Sequence, residues 1–143
     1  MAGNYQKSWQ MEVGLNNVGS YQVSGQPFAS GGIDATAAYK VSFPYTTRWV
    51  EITNYGSTAL KVGFSQHGVR ADNRWTGTLA YPAGTNYFRV GSMSGSVRLE
   101  LKVAEIWLSG SNSVDVVAGL TSIKGDRTTT DTGPSWSGSS GVG

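Results

Sequence analysis

The chain has 143 residues, 38% of them hydrophobic and 14% charged, with a formal net charge of +2 at pH 7. This length suits one domain around one hydrophobic core, and the charged fraction lies below the roughly 25% of typical soluble domains. Lysine and arginine are scattered without a run, which argues against direct nucleic-acid binding, and the absence of cysteine excludes disulfides, thiolate metal sites and a cysteine nucleophile.

The N-terminal sequence Met1 to Lys7 lacks the apolar core of a signal peptide. No apolar run approaches the roughly 20 residues that span a bilayer. We therefore expect synthesis in the cytoplasm and no transmembrane segment.

Alternation of apolar and polar residues with a period of two recurs along the chain and predicts an all-β domain. The first such segment, residues 9–15, predicts a strand with one buried face, and Tyr21 and Val23 continue in a second short strand. Residues 25–36 follow without a period and are interrupted by Pro27 and a glycine pair. We predict a long surface loop there.

The main strand series begins at residues 39–43 and stops at Pro44, which cannot donate to a ladder. Residues 49–53 and 60–64 alternate on either side of an Asn-Tyr-Gly-Ser turn and predict a hairpin. The polar stretch 66–84 predicts a long loop with a short strand near its end, at Thr78 to Tyr81.

Further strands are predicted at residues 87–90, 97–103 and 114–120. The longest of these signals slips by one residue, so that Ala104, Ile106 and Leu108 continue it in the opposite phase. Such a slip indicates a β-bulge or a bend from one sheet to another.

About eight strands with two long loops and no helix favour a single jelly-roll β-sandwich of antiparallel strands with extended N- and C-terminal arms. An immunoglobulin-like sandwich is the structural alternative. We assign residues 1–123 to the jelly-roll domain, including a short N-terminal arm, and residues 124–143 to a polar C-terminal arm. This arm holds almost no aliphatic surface, so we expect it to become ordered only by lying on another surface.

Residues that could support hydrolysis are few. A triad would need His67, the one histidine, with Ser65 and Asp72, but Ser65-Gln66-His67 lacks a glycine-flanked nucleophile turn. Two carboxylate pairs are conceivable, Glu100 with Glu105 and Glu12 with Glu51. We predict no enzyme activity, no metal site and no cofactor.

Aromatic residues outside the inward-facing sets are more informative about function, because Trp, Tyr and Arg are enriched where proteins contact each other. The candidate interface residues are Trp49, Tyr55, Arg74, Trp75, Tyr87 and Trp136. The alternative is a carbohydrate-binding sandwich in which Trp49, Trp75 and Tyr87 stack on sugar rings. Because these rings are spread over loops, turns and the C-terminal arm, we favour protein contacts. We expect Trp136→Ala to lower assembly while the monomer stays folded.

Several segments together resemble the penton (vertex) proteins of large icosahedral double-stranded DNA viruses of the nucleocytoplasmic type. The resemblance lies in their order and in the Trp-Ser-Gly-Ser-x-Gly-Val-Gly ending. The segments are residues 52–57, 60–69, 101–108, 116–123 and 133–143.

The resemblance implies a single jelly roll without catalytic residues, five copies of which close the fivefold vertex of an icosahedral capsid. The implied partners are the chain itself, as a homopentamer, and the neighbouring major and minor capsid proteins. The implied location is the capsid vertex of the virion, after synthesis in the host cytoplasm. The segment from Met1 to Trp9 and the C-terminal arm with Val142 would contact capsid neighbours.

Overall fold

The computed structural model describes residues 26–70, 74–76, 79–81, 84–129, 133 and 135–143. The predicted strands at residues 9–15 and 21–23 lie outside them. The described residues form ten strands, a short α-helix α1 (Gln66–Val69) and a 3-10 helix (Gly125–Thr128). The strands are β1 (Gln26–Ala35), β2 (Tyr39–Ser42), β3 (Tyr45–Asn54), β4 (Leu60–Gly63), β5 (Arg74–Thr76), β6 (Leu79–Tyr81), β7 (Tyr87–Val90), β8 (Gly95–Leu99), β9 (Glu105–Ser109) and β10 (Ser111–Lys124).

Eight of these strands form a sandwich of two four-stranded antiparallel sheets. Sheet 1 has the order β1-β10-β3-β8, and sheet 2 has the order β2-β9-β4-β7. The pairs are nested in sequence, because β1 pairs with β10, β2 with β9, β3 with β8 and β4 with β7. A chain folded into one long hairpin and then rolled up produces this order, which defines a jelly roll. The predicted fold class is confirmed.

The hydrophobic core lies between the two sheets and takes one face from every strand of the sandwich. Val50 and Ile52 of β3 are fully buried, whereas the residues between and beside them reach the outer surface, as the period of two requires. The buried cluster consists of Ile33, Ala35, Val41, Phe43, Val50, Ile52, Leu60, Val62, Val90, Val103, Ile106, Leu108, Val114, Val116, Ala118 and Leu120.

The stretch predicted as a surface loop, residues 25–36, is largely the edge strand β1, so that prediction was wrong. A register shift between Ser30 and Ile33 changes which side chains face the core, and this hides the period of two in the sequence. At the shift, the carboxylate of Asp115 accepts a hydrogen bond of 2.9 Å from the Gly32 amide. Glycine suits this position because Gly32 has a φ of 63°.

The predicted hairpin between residues 49–53 and 60–64 was also wrong, since β3 belongs to sheet 1 and β4 to sheet 2. The turn after Asn54 carries the chain across the sandwich instead of back along the same sheet. The phase slip near Ala104 indicated a similar crossing, and here the prediction is confirmed: β8 ends at Leu99 in sheet 1 and β9 begins at Glu105 in sheet 2.

The polar stretch 66–84 contains α1 and, further on, the β5-β6 hairpin, whose second strand coincides with the predicted short strand. The helix was not predicted, because four residues are too few to show a helical period. Its N-cap is Ser65, whose Oγ accepts a hydrogen bond of 2.9 Å from the Gly68 amide. Within the described ranges, neither helix is long and apolar enough to cross a membrane.

Candidate interface surfaces

The outer face of sheet 1 carries one of the predicted aromatic residues, Trp49 of β3. The guanidinium carbon of Arg98, on the neighbouring β8, lies 4.5 Å from the centroid of the Trp49 ring. Arg98 also forms a salt bridge of 3.3 Å with Glu100. Both interactions hold this arginine along its own sheet, where it covers the indole face.

Beside Trp49, the same face has a shallow groove where β1 and β10 run together. Its volume is about 280 Å³, and it is lined by Ala29, Ser30, Gly31, Thr53, Asp115, Val116 and Val117. Val117 is 38% exposed although it is aliphatic. Glu51 lies directly across from Val117 on β3. The groove therefore combines an exposed apolar floor with the Asp115 carboxylate, and Glu51 lies next to Val117 on the neighbouring strand.

The outer face of sheet 2 carries a different arrangement, centred on Tyr87 of β7. The Lys61 ammonium lies 4.7 Å from the centroid of the Tyr87 ring, and the Arg89 guanidinium lies 5.3 Å from it. Arg89 also donates a hydrogen bond of 3.1 Å to the Tyr87 hydroxyl. On β9, the Trp107 indole donates to the Glu105 carboxylate at 2.7 Å. We name Lys61, Tyr87 and Arg89 the cation–aromatic cluster.

One end of the sandwich exposes Tyr55 and Met93, which are 53% and 73% exposed. Tyr55 follows β3 and Met93 follows β7, and the two loops touch because the Met93 amide donates to the Gly56 carbonyl at 3.0 Å. Met93 and Ser94 both have positive φ, at 59° and 80°. Such a backbone persists only where neighbouring contacts hold it.

The opposite end is closed by the C-terminal segment, residues 135–143. Ser135 is fully buried, and its Oγ accepts a hydrogen bond of 3.1 Å from the Ala104 amide. The Ser65 hydroxyl donates to the Val142 carbonyl at 2.8 Å. Trp136 and Val142 line a small cavity with Phe64, Leu101, Lys102 and Val103.

This placement corrects the expectation that the C-terminal arm needs another surface to become ordered. The segment lies on its own domain, where it meets apolar side chains that the sandwich leaves open at this end. Ser135 and Trp136 adopt positive φ of 54° and 70°, which turns the chain back onto the domain. Composition could not reveal this, because the aliphatic surface that the segment needs belongs to β4 and to the β8–β9 crossing.

The predicted interface residues do not form one surface. Trp49 lies on the outer face of sheet 1 and Tyr87 on that of sheet 2, while Tyr55 and Trp136 lie at opposite ends of the sandwich. Arg74 and Trp75 belong to β5 in the separate hairpin, and Trp9 lies outside the described residues. Sequence reasoning missed several exposed or surface residues: Tyr39, Lys61, Arg89, Met93, Trp107 and Val117. Their only signal was an outward position in a strand or a place in a short turn.

A sugar-binding platform would need free ring faces on one sheet. Trp49 and Tyr87 lie on different sheets, and each ring has a cation over one face. These two rings therefore cannot stack side by side on one oligosaccharide.

The residues considered for hydrolysis have other roles in the fold. The Ser65 hydroxyl donates to Val142 and caps α1, and Asp72 lies outside the described residues. Glu100 pairs with Arg98 beside sheet 1, whereas Glu105 binds Trp107 on sheet 2. In the part of the chain that the structure describes, no group of three or more His, Asp and Glu residues could hold a metal ion.

One titratable group stands out next to the C-terminal segment. Partial burial lowers the pKa of the Lys102 ammonium, and the nearby Arg48 guanidinium lowers it further, while Glu100 opposes both. Arg48 thus lies towards Lys102, at the end of sheet 1 that the C-terminal segment closes.

The fold defines the class of this protein: an all-β jelly-roll sandwich with a C-terminal segment closing one end. Comparisons with protein-family models, with curated proteins and with solved structures give no match.

Proposed function

We propose that the chain is a structural capsid protein of the penton type, which closes the fivefold vertices of an icosahedral capsid as a homopentamer. The observation that carries this proposal is the nested strand order of a single jelly roll, β1-β10-β3-β8 against β2-β9-β4-β7. A fold alone does not define a function. The proposal therefore also depends on where the segments that resemble penton proteins lie.

Three of those segments meet at the end of the sandwich that the C-terminal segment closes. Phe64 belongs to one, Leu101 and Val103 to another, and Trp136 and Val142 to the third, and all five residues line the same small cavity. On this proposal, the three segments act together and hold the C-terminal segment against the sandwich.

The low charge fits a role in a symmetric shell. In a ring, each copy meets its neighbour through two different patches, and any buried unpaired charge is repeated in every interface. Within the described residues, Arg98–Glu100 is the only salt bridge. Neutral polar residues such as Ser and Thr make up much of the remaining surface and add little desolvation cost to a contact.

The direct test is the oligomeric state of the purified chain. We expect a mass that rises with protein concentration towards five copies in sedimentation velocity, and rings with fivefold symmetry in negative-stain images. A chain that stays monomeric at millimolar concentration, alone and together with purified major capsid protein, would contradict the proposal.

Carbohydrate binding is the alternative from another class. It draws no support from the placement of Trp49 and Tyr87 on opposite sheets. Binding of the folded chain to a glycan array, lost in Trp49→Ala, would favour this alternative.

A further inference from the structure

Two surface patches, one on each outer face of the sandwich, carry charges of opposite sign that form no salt bridge within the described residues. On sheet 2, Lys61 and Arg89 point to the Tyr87 ring and form no salt bridge within the described residues. On sheet 1, Asp115 lines the groove, and Glu51 lies between Val117 and Arg98 in the ladder; neither carboxylate forms a salt bridge among the described residues.

Tyr87 holds two cations of sheet 2, Lys61 and Arg89, in positions where they could contact a carboxylate. Arg89 is fixed at one end by its hydrogen bond to the Tyr87 hydroxyl, and Lys61 lies over the ring of the same tyrosine. Lys40, on β2, adds a third exposed cation to this face. The carboxylate that the described strands contribute to this face, Glu105, is bound to the Trp107 indole. The face therefore offers positive charge that its own residues do not neutralise.

The groove of sheet 1 offers the complementary features. Asp115 uses Oδ1 to accept from the Gly32 amide, and its second oxygen has no hydrogen bond among the described residues. Arg98 is the ladder partner of Glu51, but its guanidinium contacts Trp49 and Glu100. The other basic residues of this sheet, Arg48 and Lys124, lie away from the groove, at the end of the sheet that the C-terminal segment closes. Val117 supplies an exposed apolar floor next to the carboxylates, and protein contacts commonly place an apolar centre inside a polar rim.

We propose that the cation–aromatic cluster of one copy docks into the sheet 1 groove of the next copy. This inference rests on the proposed function, because it names the contact through which copies would assemble. Charge complementarity between the cation–aromatic cluster and the Asp115 side of the groove selects a second copy as the occupant. Since the two patches differ, the contact is heterologous, and its repetition gives a closed ring when the rotation between copies closes.

The test uses a matched pair of substitutions at the exposed Val117. Val117→Lys and Val117→Glu add side chains of similar length but opposite charge to the groove. We expect Val117→Lys to weaken self-association by about tenfold or more, and Val117→Glu to weaken it far less. Association constants come from sedimentation velocity at low and high salt. Wild-type association should fall as salt rises, because salt screens the attraction.

A second set of variants exchanges the charges of the two patches. Lys61→Glu alone should also weaken association, and combining it with Val117→Lys in one chain should restore association to within about threefold of wild type. Lys124→Glu, the same charge change at the end of β10, should have no effect. Circular dichroism and thermal unfolding show that each variant is folded.

The outcomes separate the two proposals. If the wild type associates but Val117→Lys and Val117→Glu weaken it equally, or the combined variant is not restored, the docking contact is overturned while the capsid proposal stands. If the wild type does not associate under any condition, the capsid proposal fails and the contact fails with it.

Discussion

The indole Nε1 of Trp136 donates a hydrogen bond of 3.0 Å to the backbone carbonyl oxygen of Lys102. This bond joins the C-terminal segment to the chain where it crosses from β8 to β9. Trp136 is 37% exposed, so most of its ring is covered by its own domain. The residue thus contributes to the stability of the monomer, a role that the sequence did not predict.

Replacement of Trp136 by alanine should therefore destabilise the monomer as well as any assembly. The lost apolar contact and hydrogen bond predict a decrease of about 2 kcal/mol in the free energy of unfolding. Trp136→Phe keeps much of the apolar contact and should lose about 1 kcal/mol. Urea unfolding at low protein concentration measures both values, and an unchanged midpoint for Trp136→Ala would contradict the docked segment.

Asn54 is the centre of a buried hydrogen-bond network that joins the loops at the other end of the sandwich. Its Nδ2 donates to the carbonyls of Thr58 at 2.8 Å and Val90 at 3.3 Å. Its Oδ1 accepts from the Gly56 amide at 3.0 Å and from the Ser111 hydroxyl at 2.6 Å. The side chain is fully buried, and three of these four hydrogen bonds lie in the interior, where water cannot replace them.

Asn54→Ala should accordingly lower the free energy of unfolding by about 3 kcal/mol, since four hydrogen bonds are lost, three of them buried. Ser111→Ala removes one of the four bonds and should cost about 1 kcal/mol. Thermal and urea unfolding measure both. Equal losses for the two variants would mean that Asn54 does not act as the hub.

Gly84 tests the packing of α1 against the segment that leads into β7. A Cβ at this position would meet the backbone carbonyl oxygens of His67 and Gly68, and neither can move without shifting the helix. Gly84→Ala should destabilise the fold by about 1–3 kcal/mol. Gly91 has no atom within 4 Å of such a Cβ, so Gly91→Ala is the matched control and should be neutral or slightly stabilising. Equal unfolding temperatures for the two variants would contradict the close packing of Gly84 against α1.

The lowered pKa of Lys102 predicts that the stability of the fold depends on pH in the alkaline range. Its pKa is lowered in the folded state by partial burial, and next by Arg48, from the ordinary value of 10.5. As the pH rises towards 10.5, the folded state therefore loses this proton before the unfolded state does. The unfolded state then binds more protons, so this group's contribution to stability rises with pH in that window.

The measurement compares wild type with Lys102→Gln, which cannot titrate there. The difference between their free energies of unfolding should shift in favour of the wild type as the pH approaches 10.5. Parallel curves over the same range would show that Lys102 is not desolvated.

Alternation by itself predicted the β class, because a strand with one buried face must place apolar residues at every second position. It located β3, β7, β9 and β10 and the crossing between sheets near Ala104. It failed for β1, where the bulge at Gly32 shifts the parity of the strand. It also failed for α1, which is too short for a period of its own.

Tertiary structure decided which strands pair, because ladder partners are distant in sequence: Ala29 lies opposite Val117, and Lys40 opposite Trp107. Local turn signals therefore suggested a β3-β4 hairpin where the chain changes sheets. Only the fold could show that the C-terminal segment finds its apolar contacts on its own domain. Only the fold placed Lys61 and Arg89 together on one outer face and Glu51 and Asp115 on the other, since the period of two assigns a residue to the outside but not to a sheet.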